Sequence, residues 1–358
     1  MYRAMPRTVL ASAPLTPAPS TPRTRGRLIW GAGEHPACTH PPDDRRVMNL
    51  PGAGQPLPTP SRTEVHVMFR PVVVGFDGSP ESFTAANWAA HEAQRRQLPL
   101  SLVHAWLRRT GELPAPDSED TVRHWAQRIL RDAEKELSGR YPDLPLTAEH
   151  VPTTAVTALL ERAEGAEMLV LGSRGLSALT GFLLGSVGQQ VLARATCPVV
   201  MVRANERSAA ERPGDEVVVA LQNLKEAPGP LLDFAFAAAS ARGATLRAVH
   251  VCKLPSSDYG YGLGAAPVGY LNGDLEGRVN RDLERALEPW REKYPRVTVE
   301  RTIDLAFVAG AVLRATAEAG LLVVGRRTHR SVPGTHIGPV THAVLHHSTV
   351  PVAVVSHD

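Results

Sequence analysis

Residues 171–192 read LGSRGLSALTGFLLGSVGQQVL and set Gly172, Gly175, Gly185 and Ser186 at G-x2-G-x9-G-S spacing. The stretch follows directly on an apolar run, Met168–Leu171. Glycine lets a backbone come close to a bound group and adopt positive φ. Gly185-Ser186 opens what reads as a helix, and the unpaired N–H groups and dipole of a helix start favour an anion. Ser186 adds a hydroxyl, and Arg174 adds a cation unless it is simply solvated. Any one of these glycines is explained as well by a turn or a cap. The whole set, placed behind a buried strand, points to phosphate. A second loop, Gly75-Phe76-Asp77-Gly78-Ser79, follows another apolar run. Asp77 there is of a type to bond ribose or adenine groups or to help hold Mg²⁺ near phosphates. Its alternative is a local role, pinning a tight turn.

The elements that must position these groups are regular from residue 71 onward. PVVVGF (71–76), LSLVHAW (100–106), a run near 145–151, one at 167–171 and CPVVMVR (197–203) read as strands. Between them lie helical stretches, the first introduced by Ser79 as cap and Pro80 at its first position. The others fall near 118–138 and 153–164 and after Gly185. Strands alternating with helices mean parallel βαβ units with helices on both faces of one sheet. In such sheets ligands bind beyond the carboxyl ends of the strands, where both candidate loops fall.

The pattern then repeats. EVVVAL (216–221) answers PVVVGF, ATLRAVHV (244–251) answers LPLSLVHAW, LLVVGRRT (321–328) answers MLVLGSRG, and TVPVAVVS (349–356) answers TCPVVMVR. A repeat of this length is a duplicated domain. The offset grows along the copy, which places an insertion near 255–270. The expected class is therefore α/β, with two tandem doubly wound domains at 69–205 and 213–358. Residues 1–68 are rich in Pro and Arg and have no apolar period. They are expected to be a disordered extension, or to precede a true start near Met68.

Composition removes several classes. Net charge is only +3 on 358 residues, and the excess is concentrated before residue 71. No basic face interleaved with aromatics marks nucleic acid, and no apolar run is long enough for a membrane helix. The three cysteines (Cys38, Cys197, Cys252) form no CxxC and no even framework, as in a reducing compartment such as the cytoplasm. No GxxxxGK[ST] loop and no GxSxG elbow occurs. His342 and His346 share a helical face, but no HExxH or local carboxylate makes them a metal site, and surface histidines are the better reading. His104 and His250 sit in apolar strands and read as core histidines with satisfied ring nitrogens.

VVVGFDGS, VHAW, the glycine motif and CPVVMV together resemble the universal stress protein family, well over 71–203 and more weakly over 216–356. The resemblance implies five parallel strands per domain in the order 3-2-1-4-5, with domains pairing through their fifth strands. It also implies an adenine-nucleotide site that takes ATP, with or without Mg²⁺. Gly172, Gly175, Gly185 and Ser186 would then hold phosphates and ribose, Asp77 would lie beside the nucleotide, and Ala105 would form the adenine wall. The second copy departs at the matching positions: Gln222 stands for the Asp, Thr328 for the second glycine and Pro339 for the Ser. Gly325 and Gly338 survive, while Arg326, Arg327 and Lys225 are the cations left to attract an anion. This copy is expected to act mainly as a pairing partner.

The resulting expectation is a cytoplasmic sensor or stress-response binding module, with no nucleic-acid or membrane partner and an unidentified protein partner. No water-activating base or Arg finger is evident, so fast catalysis is not expected. Two other classes stay open: a slow ATP hydrolase or nucleotidyl-transferring enzyme on the same scaffold, and an interaction scaffold without nucleotide. Domain pairing within one chain and pairing across a homodimer are equally compatible with the sequence.

Overall fold

The computed structural model describes residues 70–106, 118–173, 185–204, 216–252, 268–305, 308–328 and 337–358. The extension expected over 1–68, most of the insertion, and Arg174 and Gly175 lie outside the described residues.

In the first copy β1 (Val72–Gly75), β2 (Leu100–Ala105), β3 (Leu146–Val151), β4 (Met168–Ser173) and β5 (Val199–Arg203) alternate with α1 (Pro80–Arg96), α2 (Ser118–Arg140), α3 (Ala155–Ala163) and α4 (Ser186–Arg194). The second copy runs β6 (Val217–Leu221), α5 (Gly229–Arg242), β7 (Leu246–Cys252), α6 (Val268–Lys293), β8 (Val299–Leu305), α7 (Val308–Ala315), β9 (Leu321–Arg327), α8 (Pro339–His347) and β10 (Val352–His357). The strand order is β3-β2-β1-β4-β5-β10-β9-β6-β7-β8. Each copy thus has the order 3-2-1-4-5, and all pairs within a copy are parallel.

The copies join where β5 and β10 pair antiparallel, Val352 opposite Met201, Ala353 opposite Val200 and Val354 opposite Val199. Val200 and Ala353 are equivalent positions of the repeat, so a pseudo-twofold axis passes through that pair. The central strands read as unbroken apolar runs because helices cover both faces. α1, α2, α5 and α6 bury one core, which includes Trp88, Leu102, Val200, Phe236 and Val355. α3, α4, α7 and α8 bury the other, with Leu159, Leu169, Val191, Val324 and Val354. Both cores continue across the seam, so the two domains share their apolar interior.

The start of α1 follows the sequence reading. Ser79 is the N-cap, its hydroxyl accepts from the Ser82 N–H at 3.2 Å, and Pro80 takes the first turn. Its buried face is mostly alanine (Ala85, Ala86, Ala89, Ala90, Ala93), which lets the helix lie close on the sheet.

Two boundaries differ from expectation. β4 continues through Gly172 and Ser173, which pair with Val202 and Arg203, so Gly172 belongs to the strand and not to the loop. β5 begins at Val199, and Cys197 lies buried just before it. Burial pushes that thiol up to about 11, so it is an inert hydrophobe at neutral pH.

Candidate functional site

Parallel register aligns the carboxyl ends of the central strands. Gly75 pairs with Val103 on one side and with Leu171 on the other. The loop after β1, the end of β2 and the end of β4 therefore meet at one edge of the sheet. α4 starts toward the same edge, because it ends at Arg194, just before β5 begins at the opposite edge parallel to β4.

Asp77 is exposed there, and its Oδ1 accepts the Ser79 N–H at 3.0 Å and also the Ser79 hydroxyl. Because Ser79 caps α1, the carboxylate supports the cap as well as facing solvent. Gly78 makes the turn at φ 79°, and a Cβ on it would meet Ile129 Cγ2 at 2.8 Å. Ala105 ends β2, half-buried beside Val151. Gly185 is the exposed N-cap of α4, at φ −59° and ψ 157°, and Ser186 is its exposed first residue. The first turn of α4 contains no acidic residue to repel an anion.

The glycines of the motif have different reasons to be glycine. A Cβ on Gly172 would lie 2.5 Å from the Glu81 carbonyl carbon and oxygen and 2.9 Å from Ser82 N. Close approach does govern this position, but the approaching backbone is the first turn of α1. Around Gly185, by contrast, no described residue lies within 4 Å of an added Cβ. Its φ and ψ suit any residue.

The second copy reproduces the frame and closes the equivalent place. Gly338 caps α8, and Pro339 follows in the first turn and removes an N–H. Thr328, at the position of Gly175, donates its N–H to His357 O at 2.7 Å and its hydroxyl to Asp358 Oδ1. His357 and Asp358 thus occupy the N–H and hydroxyl of that position. Arg326 is buried and donates to Ala193 O at 3.0 Å and Ala195 O at 2.7 Å, across the seam. It caps the carboxyl end of α4, where helix carbonyls lack partners, so its expected availability to an anion does not hold. Arg327 and Lys225 are exposed, as is Gln222.

His104 is buried as expected of a core histidine, while His250 is half-buried; both rings are bonded. Nδ1–H of each donates to the end of the neighbouring strand, to Phe76 O at 2.8 Å and Leu221 O at 2.9 Å. His150, paired with His104 in register, stacks between His104 and Trp106 with ring centroids 5.4 and 5.5 Å apart. Burial, and then the neighbouring His104, hold its imidazole below the usual histidine range. That stack was not apparent from spacing, because the β2–β3 register decides it. His342 and His346 approach to 3.2 Å between Nε2 atoms. Among the described residues no group of three or more His, Cys, Asp or Glu is arranged to hold a metal ion, and no helix is long and apolar enough to cross a membrane.

Comparison with known proteins agrees with the duplicated architecture. The universal stress protein family matches twice, over residues 68–203 and 215–356. A universal stress protein of Mycobacterium tuberculosis strain H37Rv is 33% identical over 301 residues, covering 79% of this chain and 96% of that protein. A second from the same strain is 32% identical over 305 residues, covering 79% and 94%. A crystal structure of a universal stress protein from Archaeoglobus fulgidus superposes with a TM-score of 0.61 at 18% identity. It covers 81% of this chain and all of that one, and so supports the fold. The chain belongs to the universal stress protein family, with two copies of the family's domain in one polypeptide.

Proposed function

We propose that the first domain binds an adenine nucleotide, ATP with or without Mg²⁺, and that the chain works as a stress-response sensor or regulatory module with one nucleotide site. Gly175, Gly185 and Ser186 hold the phosphates and ribose, with Gly172 setting the strand end from which they start. Asp77 lies toward the nucleotide from β1, and Ala105 forms the adenine wall from β2.

The observation that carries this reading is Gly185. Among the described residues nothing lies within 4 Å of a Cβ added at that position, and its φ and ψ are open to any residue. A bare N-cap followed by Ser186, at the start of a nine-residue helix without acidic groups in its first turn, suits a phosphate that must touch backbone. The second copy has the same helix start with Pro339 in place of the serine, so the helix does not need the Ser.

Nucleotide content tests the proposal. Native full-length protein, acid-quenched on purification, is expected to release adenine nucleotide. Gly185→Ala is expected to keep its melting temperature within about 2 °C, since an N-cap change of this kind costs roughly 1 kcal/mol or less. The same variant is expected to lose nucleotide affinity at least tenfold. Unchanged affinity in Gly185→Ala contradicts the assignment of the phosphate cradle.

A further inference from the structure

The seam between the domains contains a buried charge cluster that the repeat does not duplicate. Glu92 lies one turn before the end of α1 with its side chain fully buried. Its Oε1 accepts from Arg96 Nε at 2.6 Å, one turn along the same helix, and from Arg242 Nη1 at 3.2 Å, at the end of α5 in the other domain. Arg242 Nη2 lies 2.7 Å from Glu92 Oε2. The two arginine side chains are 7% and 5% exposed, so water neutralises neither.

The surroundings are twofold symmetric. Arg96 and Arg242 are equivalent positions of the repeat, and so are Trp88 and Phe234. The Arg96 guanidinium lies over the Phe234 ring at 5.1 Å, and Arg242 lies over the Trp88 ring at 5.7 Å. Each domain thus lays its arginine on the other's aromatic ring, as an isologous interface requires. The acids break the symmetry: the counterpart of the buried Glu92 is Ala238. A rim carboxylate, Glu167, lies 3.6 Å from Arg96 and is 36% exposed; its counterpart is Gly320.

We propose that Glu92 is the counter-charge that lets these faces close, and that the Arg242 face pairs only with a face bringing a carboxylate at this place. Two second-domain faces set together would bury two arginines with no acid between them. A buried charge left unpaired is strongly unfavourable, so the second domain rejects its own kind and accepts the first. The acid also has no fixed side: symmetry gives position 238 the same relation to Arg242 and Arg96 that position 92 has to Arg96 and Arg242.

Four full-length chains test this by thermal unfolding: wild type, Glu92→Ala, Glu92→Gln, and Glu92→Ala combined with Ala238→Glu. Both single variants are expected to melt on the order of 5–10 °C lower, as for a buried pair stripped of one partner. The double variant is expected to regain at least half of that loss. Single variants within 1 °C of wild type, or a double variant no better than Glu92→Ala, overturn the proposal. Should the single variants yield no folded protein, recovery of folded protein in the double variant supports it, and failure to recover overturns it.

Discussion

Gly172→Ala and Gly325→Ala change the same motif position in the two copies, and the structure predicts opposite outcomes. In the first copy the new Cβ would lie 2.5 Å from backbone carbon and oxygen of Glu81. Reaching ordinary contact at 3.4 Å requires a shift of about 0.9 Å. The obstacle is main chain in the first turn of a helix fixed by the Ser79 cap and by a buried alanine face. α1 cannot retreat without opening the core beneath Trp88. Overpacking of this kind typically costs about 1–3 kcal/mol, and a backbone obstacle belongs at the upper end. About 3 kcal/mol corresponds to a drop of roughly 5 °C in a chain of this size. In the second copy the new Cβ would meet His357 Nε2 at 2.6 Å and Cδ2 at 2.9 Å. Those atoms are the far edge of a half-buried side chain that can turn away, so the loss is expected to stay below about 1 kcal/mol. Thermal and urea unfolding of both full-length variants, followed by circular dichroism, would measure the difference. Equal losses at 172 and 325, or a loss below about 1 °C at 172, would refute the account of why the first glycine is there.

Asp77 serves the α1 cap and, on the proposed function, the nucleotide, and two variants separate these duties. Asp77→Asn keeps an oxygen for the Ser79 N–H and is expected to hold its melting temperature while losing affinity for Mg²⁺–nucleotide. Asp77→Ala is expected to lose affinity and also about 0.5–2 kcal/mol of stability, read from urea unfolding. Acidification gives a further test. Burial, followed by Arg95 and Arg140, lowers the pKa of His91, and burial, followed by His104, lowers that of His150. Both rings are held neutral in the fold, so their contribution is complete above about 6.5, the unfolded value, and is lost as pH falls through it. The combined His91→Gln and His150→Gln variant is expected to show a shallower decline in melting temperature below pH 6.5. A decline as steep as that of the wild type counts against this assignment.

Much of the fold is legible in the sequence because its signals are local and occur twice. Apolar β-branched runs, Ser79-Pro80 and the repeated VVV, VH and PV patterns need no partner to be read. Strand ends were less legible: Gly172 and Ser173 look like loop residues, and only pairing with Val202 and Arg203 draws them into β4. The site was read as a set of residue types, and the structure divides that set. Gly172 answers to α1, Asp77 is shared with the Ser79 cap, and Gly185 has no described neighbour within 4 Å of an added Cβ. The role of Arg326 is not legible in the sequence because its carbonyl acceptors lie in the other domain, more than a hundred positions away. Glu92 was missed for the same cause, although a hint was present. It falls at helical spacing on the face of α1 that carries Ala85, Ala89 and Arg96, a place where a lone carboxylate requires a buried cation.

The central claim is one nucleotide site per chain, in the first domain. Calorimetric titration of the full-length chain with ATP and Mg²⁺ tests it most directly. The account predicts saturation at one equivalent per chain, with affinity reduced by Gly185→Ala and unaffected by the matching change at Gly338. Absence of binding heat, or saturation at two equivalents, would contradict it.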